Sequence, residues 1–250
     1  MGYRIPGLRE YEARNNPWNH FDGKIQDEQE MWDEAMVVML LEGIRDTLYM
    51  TLVSTLFGYV LGLPIGIVLT LTDQGGLRQN RAVYRIFDVI VNISRSIPFL
   101  ILLILVIPLT RFLVGKSYGP TATIVPLTLA AAPFIGRMVE SSLKEVPQGV
   151  IDAAVSMGAK TGTIVFKVLL SEARTSLIVG LTIVLGTILG YSAMAGVVGG
   201  GGLGDIAIRY GYYRYETGVM VVTLIVIVAL VQFMQWLGMR ISSRLDHRRE

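Results

Sequence analysis

The sequence predicts an all-α integral membrane protein with five transmembrane helices, its amino terminus outside and its carboxyl terminus in the cytoplasm. Three observations carry that expectation. Hydrophobic residues make up 52% of the chain, charged residues only 17%, and mean hydropathy is +0.53; a soluble domain usually carries about 25% charge. Five apolar stretches follow a polar leader. Lys and Arg gather in alternate connections between those stretches, as they do in membrane proteins of fixed orientation.

The leader, residues 1–46, holds five basic and ten acidic residues. It has no apolar run at its start and reads as no cleavable signal peptide. Residues 1–26 read as a loose polar tail. From Asp27 to Asp46, acids alternate with Met31, Trp32, Met36, Val37, Met39 and Leu40. That stretch reads either as an amphipathic helix on the membrane surface or as a solvated leader before the first span.

A bilayer core needs roughly 20 helical residues. The expected spans are about 47–71, 86–110, 121–140, 175–198 and 217–239, followed by a basic tail over 240–250. The second holds Arg95 and Pro98, and Pro64 and Pro98 are expected to bend their helices. Pro108 is expected to mark a helix end. The third is short, but its Thr and Ala suit helix contacts. Twelve Lys and Arg lie in the connections after spans one and three and in the tail, against four in the other two connections. That bias places the tail inside and the leader outside.

Gly58, Gly62 and Gly66 recur every four residues in span one, as do Gly186 and Gly190 in span four. They read first as helix-packing positions. Asp88, Asn92 and Arg95 share one helix face near the cytoplasmic end of span two. They read either as an interfacial polar seam or as groups acting in transport.

Composition removes several chemistries. Cys is 0 and His is 2, which excludes thiolate metal sites, thiol nucleophiles and most imidazole sites, so no metal site and no catalytic residue is expected. A net charge of +2 argues against nucleic acid. Gly199, Gly201 and Gly204 fit G-x-G-x-x-G, but they follow a span rather than a strand and read as a flexible external turn. No P-loop sequence is present, so ATP is not expected to bind this chain. Gly190-Tyr191-Ser192-Ala193 resembles an intramembrane serine protease motif, yet His20 and His247 lie in the two tails and cannot serve as its base. An ion-coupled carrier usually places ionisable groups at the midplane, and the centres of spans one, three, four and five carry none.

The longest internal connection, Arg137 to Arg174, holds the sharpest signal. Pro147 opens a helical segment. Within it Ala153, Ala154, Met157 and Gly158 are expected to form one face of mostly small side chains, able to dock in a groove of another protein or to pack back on its own bundle. Here the chain resembles the membrane subunits of type I ABC importers. Their loop carries Glu-Ala-Ala, three residues, Gly, nine residues, Ile, one residue, Leu-Pro. This chain has Asp152-Ala153-Ala154, Gly158, Val168 and Leu170, with Ser171 in place of the proline. By resemblance these are cytoplasmic coupling helices between spans three and four, and Asp152, Ala153, Ala154, Met157 and Gly158 meet the ATPase subunit.

The resemblance extends to Arg95-Ser96-Ile97-Pro98-Phe99, Ile124-Val125-Pro126-Leu127-Thr128, Ala131-Ala132-Pro133-Phe134-Ile135, Arg137-Met138-Val139-Glu140 and Gly190-Tyr191-Ser192-Ala193-Met194. Together with the glycine run these look like the methionine importer permeases, over about residues 43–239. The resemblance implies a homodimer in the inner membrane of a bacterium. Two cytoplasmic subunits would bind ATP and Mg, and an external lipoprotein would deliver L- or D-methionine. It also offers Tyr191, Ser192 and Met194 as pathway residues, with helix packing as the alternative for each. A permease for another amino acid or small solute, or an ion-coupled carrier, stands as the other reading.

Overall fold

The computed structural model describes residues 34–245, and every regular element among them is helical. The expected tail over 1–26, residues 27–33 of the possible surface helix, and residues 246–250 lie outside the described residues. The chain divides into two compact units, 1–42 and 43–250. Helix α1 runs Glu34–Thr72, so residues 34–46 of the leader are continuous helix with the first apolar stretch. Within the second unit its buried positions are Gly43, Thr47, Met50, Thr51, Ser54, Thr55, Gly58, Gly62, Gly66 and Leu69. Three- and four-residue steps put these on one face.

Helix α2 spans Arg81–Ser96. The Asn80 side chain caps it by accepting from the Ala82 and Val83 amides at 3.1 and 3.2 Å. Ile97 then takes an extended conformation, because Pro98 disfavours helix in the residue before it. The chain turns by 100° into α3, Phe99–Leu105. After Val106, α4 covers Ile107–Val114 and stops at Gly115 with φ +80. The span expected over 86–110 is therefore bent at Pro98, as expected, and is built of three helices. Pro108 sits in the first turn of α4, where it forfeits no helical hydrogen bond, so it opens a helix rather than ending one.

Helix α5, Pro120–Lys144, is the most enclosed element, with fifteen buried residues along its length. A short helix α6, Gln148–Ser156, follows, then α7 over 161–172, whose centre Ile164–Leu169 is wound as a π-helix. Helix α8 is Arg174–Ala195. Helix α9 starts at Gly202–Ile206 and continues as a π turn, Ala207–Tyr212. Helix α10, Thr217–Leu245, extends past the end expected at 239. Among the described residues four helical stretches are long and apolar enough to cross a membrane: Glu34–Thr72, Pro120–Lys144, Arg174–Tyr212 and Thr217–Arg244. The bent pair α2–α3 makes a fifth if counted as one span.

The core runs along α5. Leu127, Ala131, Ile135, Val139 and Leu143 join Met50, Phe99, Leu103, Val184 and Ile188 in one buried cluster. It continues into the connection after α5 through Val146, Ala154, Ile164, Val165 and Leu169.

Candidate functional site

Helix α6 begins directly after Pro147, without a side-chain cap, and is held on the bundle by few residues. Ala154 is 4% exposed and belongs to the buried cluster, with Ile151 and Ala159 packed against it. The remainder faces outward: Asp152 and Ala153 are exposed, and Met157 is 80% exposed. The single face expected of Ala153, Ala154, Met157 and Gly158 is thus split, because Ala154 is turned into the bundle while the other three are exposed. Ala154 roots the helix, while Ala153, Met157 and Gly158 stand on its open side. Asp152 accepts from the Gln148 side chain at 3.0 Å.

Gly158 terminates α6. Its φ is +77, its amide donates to Val155 O at 2.9 Å, and the Ala159 amide donates to Ala154 O at 3.1 Å. That pair of bonds is a Schellman cap, which requires a left-handed residue. An added Cβ at Gly158 would meet nothing within 4 Å. Among the described residues, backbone conformation and not space calls for glycine here. Ser171 lies inside the helical stretch of α7.

The three residues offered for a pathway point three ways. The Tyr191 ring stacks on Phe99, with centroids 4.7 Å apart and planes within 2°. Ser192 is buried and its hydroxyl donates to Leu189 O of its own helix at 2.7 Å. Met194 is about half exposed. Within the chain only Met194 presents a free side chain.

The glycines also divide. A Cβ on Gly58 would lie 2.8 Å from Ala131 Cβ, on Gly62 2.6 Å from Ala132 O, and on Gly66 2.6 Å from Gly136 O. These three set the approach of α1 to α5. At Gly186 a Cβ would come only to 3.4 Å from the Gln235 side chain, and at Gly190 nothing lies within 4 Å. Among the described residues Gly190 makes no close helix approach. Gly238 does, against Thr182 of α8; its isolated position in span five gave no spacing signal.

The glycine run is not a flexible turn. Gly119 donates to Gly199 O at 2.9 Å, Thr123 Oγ1 donates to Gly200 O at 3.2 Å, and the Leu203 amide donates to Thr47 Oγ1 at 2.9 Å. Gly202, Leu203 and Gly204 are buried, and an added Cβ at Gly204 would strike the Ala193 backbone. The glycines permit left-handed φ at 199, 201 and 202 and a close approach at 204. Three elements hold this turn, so it is a packed joint.

A charged chain at the opposite end of α5 joins residues far apart in sequence. Glu140 is buried, its side chain 3% exposed. Its Oε2 accepts from Arg137 Nη1 at 2.7 Å and its Oε1 from Lys144 Nζ at 2.7 Å. The Tyr84 hydroxyl donates to Oε1 at 3.3 Å. Arg137 Nη2 also donates to Asp88 and, at 2.9 Å, to Asn92. Lys144 donates at 2.6 Å to Asp73, in the turn after α1. Burial raises the Asp73 carboxyl, but the Lys144 ammonium and the Gln74 amide outweigh it and hold it below its ordinary 3.8. Asp88 and Asn92 thus form a seam with α5, while Arg95 departs from it to lie over the Phe134 ring at 5.8 Å. Helix spacing could place Asp88 beside Asn92 but carried no sign of Arg137, 49 residues away. Among the described residues no three His, Cys, Asp or Glu are grouped to hold a metal.

The family model described as binding-protein-dependent transport system inner membrane component matches residues 62–247. A Vibrio cholerae protein named probable D-methionine transport system permease protein MetI is 48% identical over 210 residues, 84% of this chain and 93% of the relative. The D-methionine transport system permease protein MetI of Escherichia coli is 53% identical over 163 residues, 65% of this chain and 75% of the relative. Among solved structures, a chain of the MetNI methionine ABC transporter in inward-facing conformations aligns with a TM-score of 0.85 and 50% identity, covering 86% of this chain and all of that one. An amino acid ABC transporter matches at TM-score 0.64 and 19% identity, covering 85% of this chain and 94% of that one, a likeness of fold alone.

Proposed function

The chain belongs to the family of binding-protein-dependent transport system inner membrane components, and from that premise we propose how it works. It is a multi-pass inner-membrane protein, the permease subunit of a methionine ABC importer. The observation that carries this is the match at TM-score 0.85 and 50% identity along the full length of a methionine transporter chain. The family's members are membrane components, and hydrolysis of ATP belongs to a separate subunit.

The finer reading is ours. Two copies of this chain enclose the pathway, since the helices of one copy leave long apolar faces open on α1, α2 and α10. Two ATP-binding subunits dock beneath, and an external lipoprotein supplies L- or D-methionine from above. The leader lies outside and the carboxyl end of α10 in the cytoplasm, as the charge bias requires. Helix α6 is the coupling helix. Its outward residues Val150, Ala153, Val155 and Met157 are apolar or small and enter a groove of the ATPase, while Ala154 and Ile151 bind it to the core. Closure of the ATPases on nucleotide therefore moves α6 together with the cytoplasmic end of α5. Tyr191, Ser192 and Met194 lie on the span nearest the substrate route, Met194 as the one able to touch it.

The test is uptake of labelled L-methionine by proteoliposomes holding this chain, its ATPase and its binding lipoprotein. ATP-dependent accumulation that excess unlabelled methionine abolishes is the expected result. Accumulation that follows an ion gradient without ATP would overturn the assignment. Competition by D-methionine measures the breadth of the substrate class.

A further inference from the structure

We infer that Glu140 is a positioning residue for transport: through Arg137 and Lys144 it ties α2 and the turn after α1 to the root of α6, so that these parts move as one body. The inference rests on the permease reading above and adds to it the route by which motion leaves the coupling helix.

Three observations point to it. Helix α2 has a single buried residue, Val91. Apolar packing therefore attaches it weakly to α5. Polar links join it to the cytoplasmic half of α5: Tyr84 to Glu140, Asp88 and Asn92 to Arg137, and the Arg95 guanidinium over the Phe134 ring. The same Glu140 carboxylate holds Lys144, whose ammonium reaches Asp73 beyond the end of α1 and lies 5.6 Å from the Tyr84 ring centroid. Finally, α6 starts at Gln148, with only three residues between it and Lys144, and the intervening Val146 is buried with Leu143 in the core. A displacement of α6 thus reaches the last turn of α5 directly.

Burial decides which member matters most. Arg137, Lys144, Asp73 and Asp88 are each a quarter to two-fifths exposed, whereas Glu140 is enclosed. An enclosed carboxylate is tolerated only with its charge matched and its lone pairs filled. Glu140 meets both demands by holding one cation on each oxygen, and each cation then reaches a second acid on a different element. Removing the Glu140 charge leaves both arms without their common anchor. Removing Asp88 or Asp73 cuts one arm and leaves the anchor in place.

The experiment compares ATP hydrolysed per methionine taken up, in proteoliposomes of the full transporter with its binding protein. Glu140→Gln keeps the shape and loses the charge. It is expected to raise that ratio about tenfold, the size of an ordinary coupling between sites. Glu140→Asp, which keeps the charge, restores most of the coupling. Asp88→Asn and Asp73→Asn raise the ratio by less. A Glu140→Gln transporter with the unaltered ratio overturns the inference, as does one in which hydrolysis and uptake fall in proportion, the mark of mere misfolding. If Glu140→Gln does not assemble, Asp88→Asn decides, and an unaltered ratio there overturns it. Failure of the unmodified transporter to take up methionine with ATP would instead sink the permease reading.

Discussion

A methyl group added at Gly62 would lie 2.6 Å from the Ala132 carbonyl oxygen, while one added at Gly158 would meet nothing within 4 Å. Both glycines matter, for unrelated reasons. The α1–α5 seam needs glycine for room: three of them on one face let two backbones touch where lipid offers no hydrophobic drive for association. The end of α6 needs glycine for its dihedral, since φ +77 disfavours any L side chain. A spacing of four announces the first kind. The second is announced only by the residue that follows an apolar helical run, a weaker signal.

Variants at the two regions separate the causes. Gly62→Leu should be the most damaging, overpacking the seam at a cost of about 3 kcal/mol. A lower melting temperature in detergent and loss of the monodisperse species would record it, and an unchanged melt would break the comparison from the seam's side. Gly158→Val should cost about 1–2 kcal/mol through left-handed strain. Gly158→Asn should cost less, because Asn tolerates that region. Copurification of the ATPase subunit would rank the three as Gly above Asn above Val; equal loss for Asn and Val would mean that space on a partner, not φ, fixes the residue. Gly190→Ala should change stability by no more than about 0.5 kcal/mol. A larger cost appearing only in the assembled dimer would place Gly190 against the second copy.

The smallest expected effect is in pH. The Asp73 carboxyl is held below 3.8 in the folded chain. A depressed carboxylate adds stability that is fully present above its unfolded value and is lost as pH falls through the folded one. Nothing should therefore change between pH 7 and 5. Below about pH 4 the melting temperatures of the native protein and of Asp73→Asn should converge, the difference at neutral pH being at most about 1 kcal/mol after solvent screening.

Much of the fold was legible because it is written locally. Apolar stretches and glycine spacing lie within single helices, and the run Asp152 to Gly158 could be placed in its loop by topology. In span two the bend at Pro98 was legible, but its 100° angle was not, because a proline marks a break without setting its size. The run from Gly199 to Gly204 was read as loose because glycine means both freedom and close approach, and only the partners Thr47, Thr123 and Ala193 decide between them. The Glu140 network was invisible for the same reason. Its arms join positions 49, 56 and 71 residues apart, and counting Arg137 and Lys144 as loop charges gave topology without contacts.

The bond from the Leu203 amide to Thr47 Oγ1 spans 156 residues. At roughly 5–20 residues per second of synthesis, Thr47 emerges on the order of 8–30 seconds before the amide that will bind it. Throughout that interval the small, polar face of α1 is in the bilayer without the joint that closes it. Assembly of this chain is therefore ordered by the ribosome: α1 waits, α5 arrives to cover its glycines, and the last third locks the end remote from Glu140. A mutation that weakens the joint should then show first as early degradation of newly made chains, before any loss of stability in the finished protein.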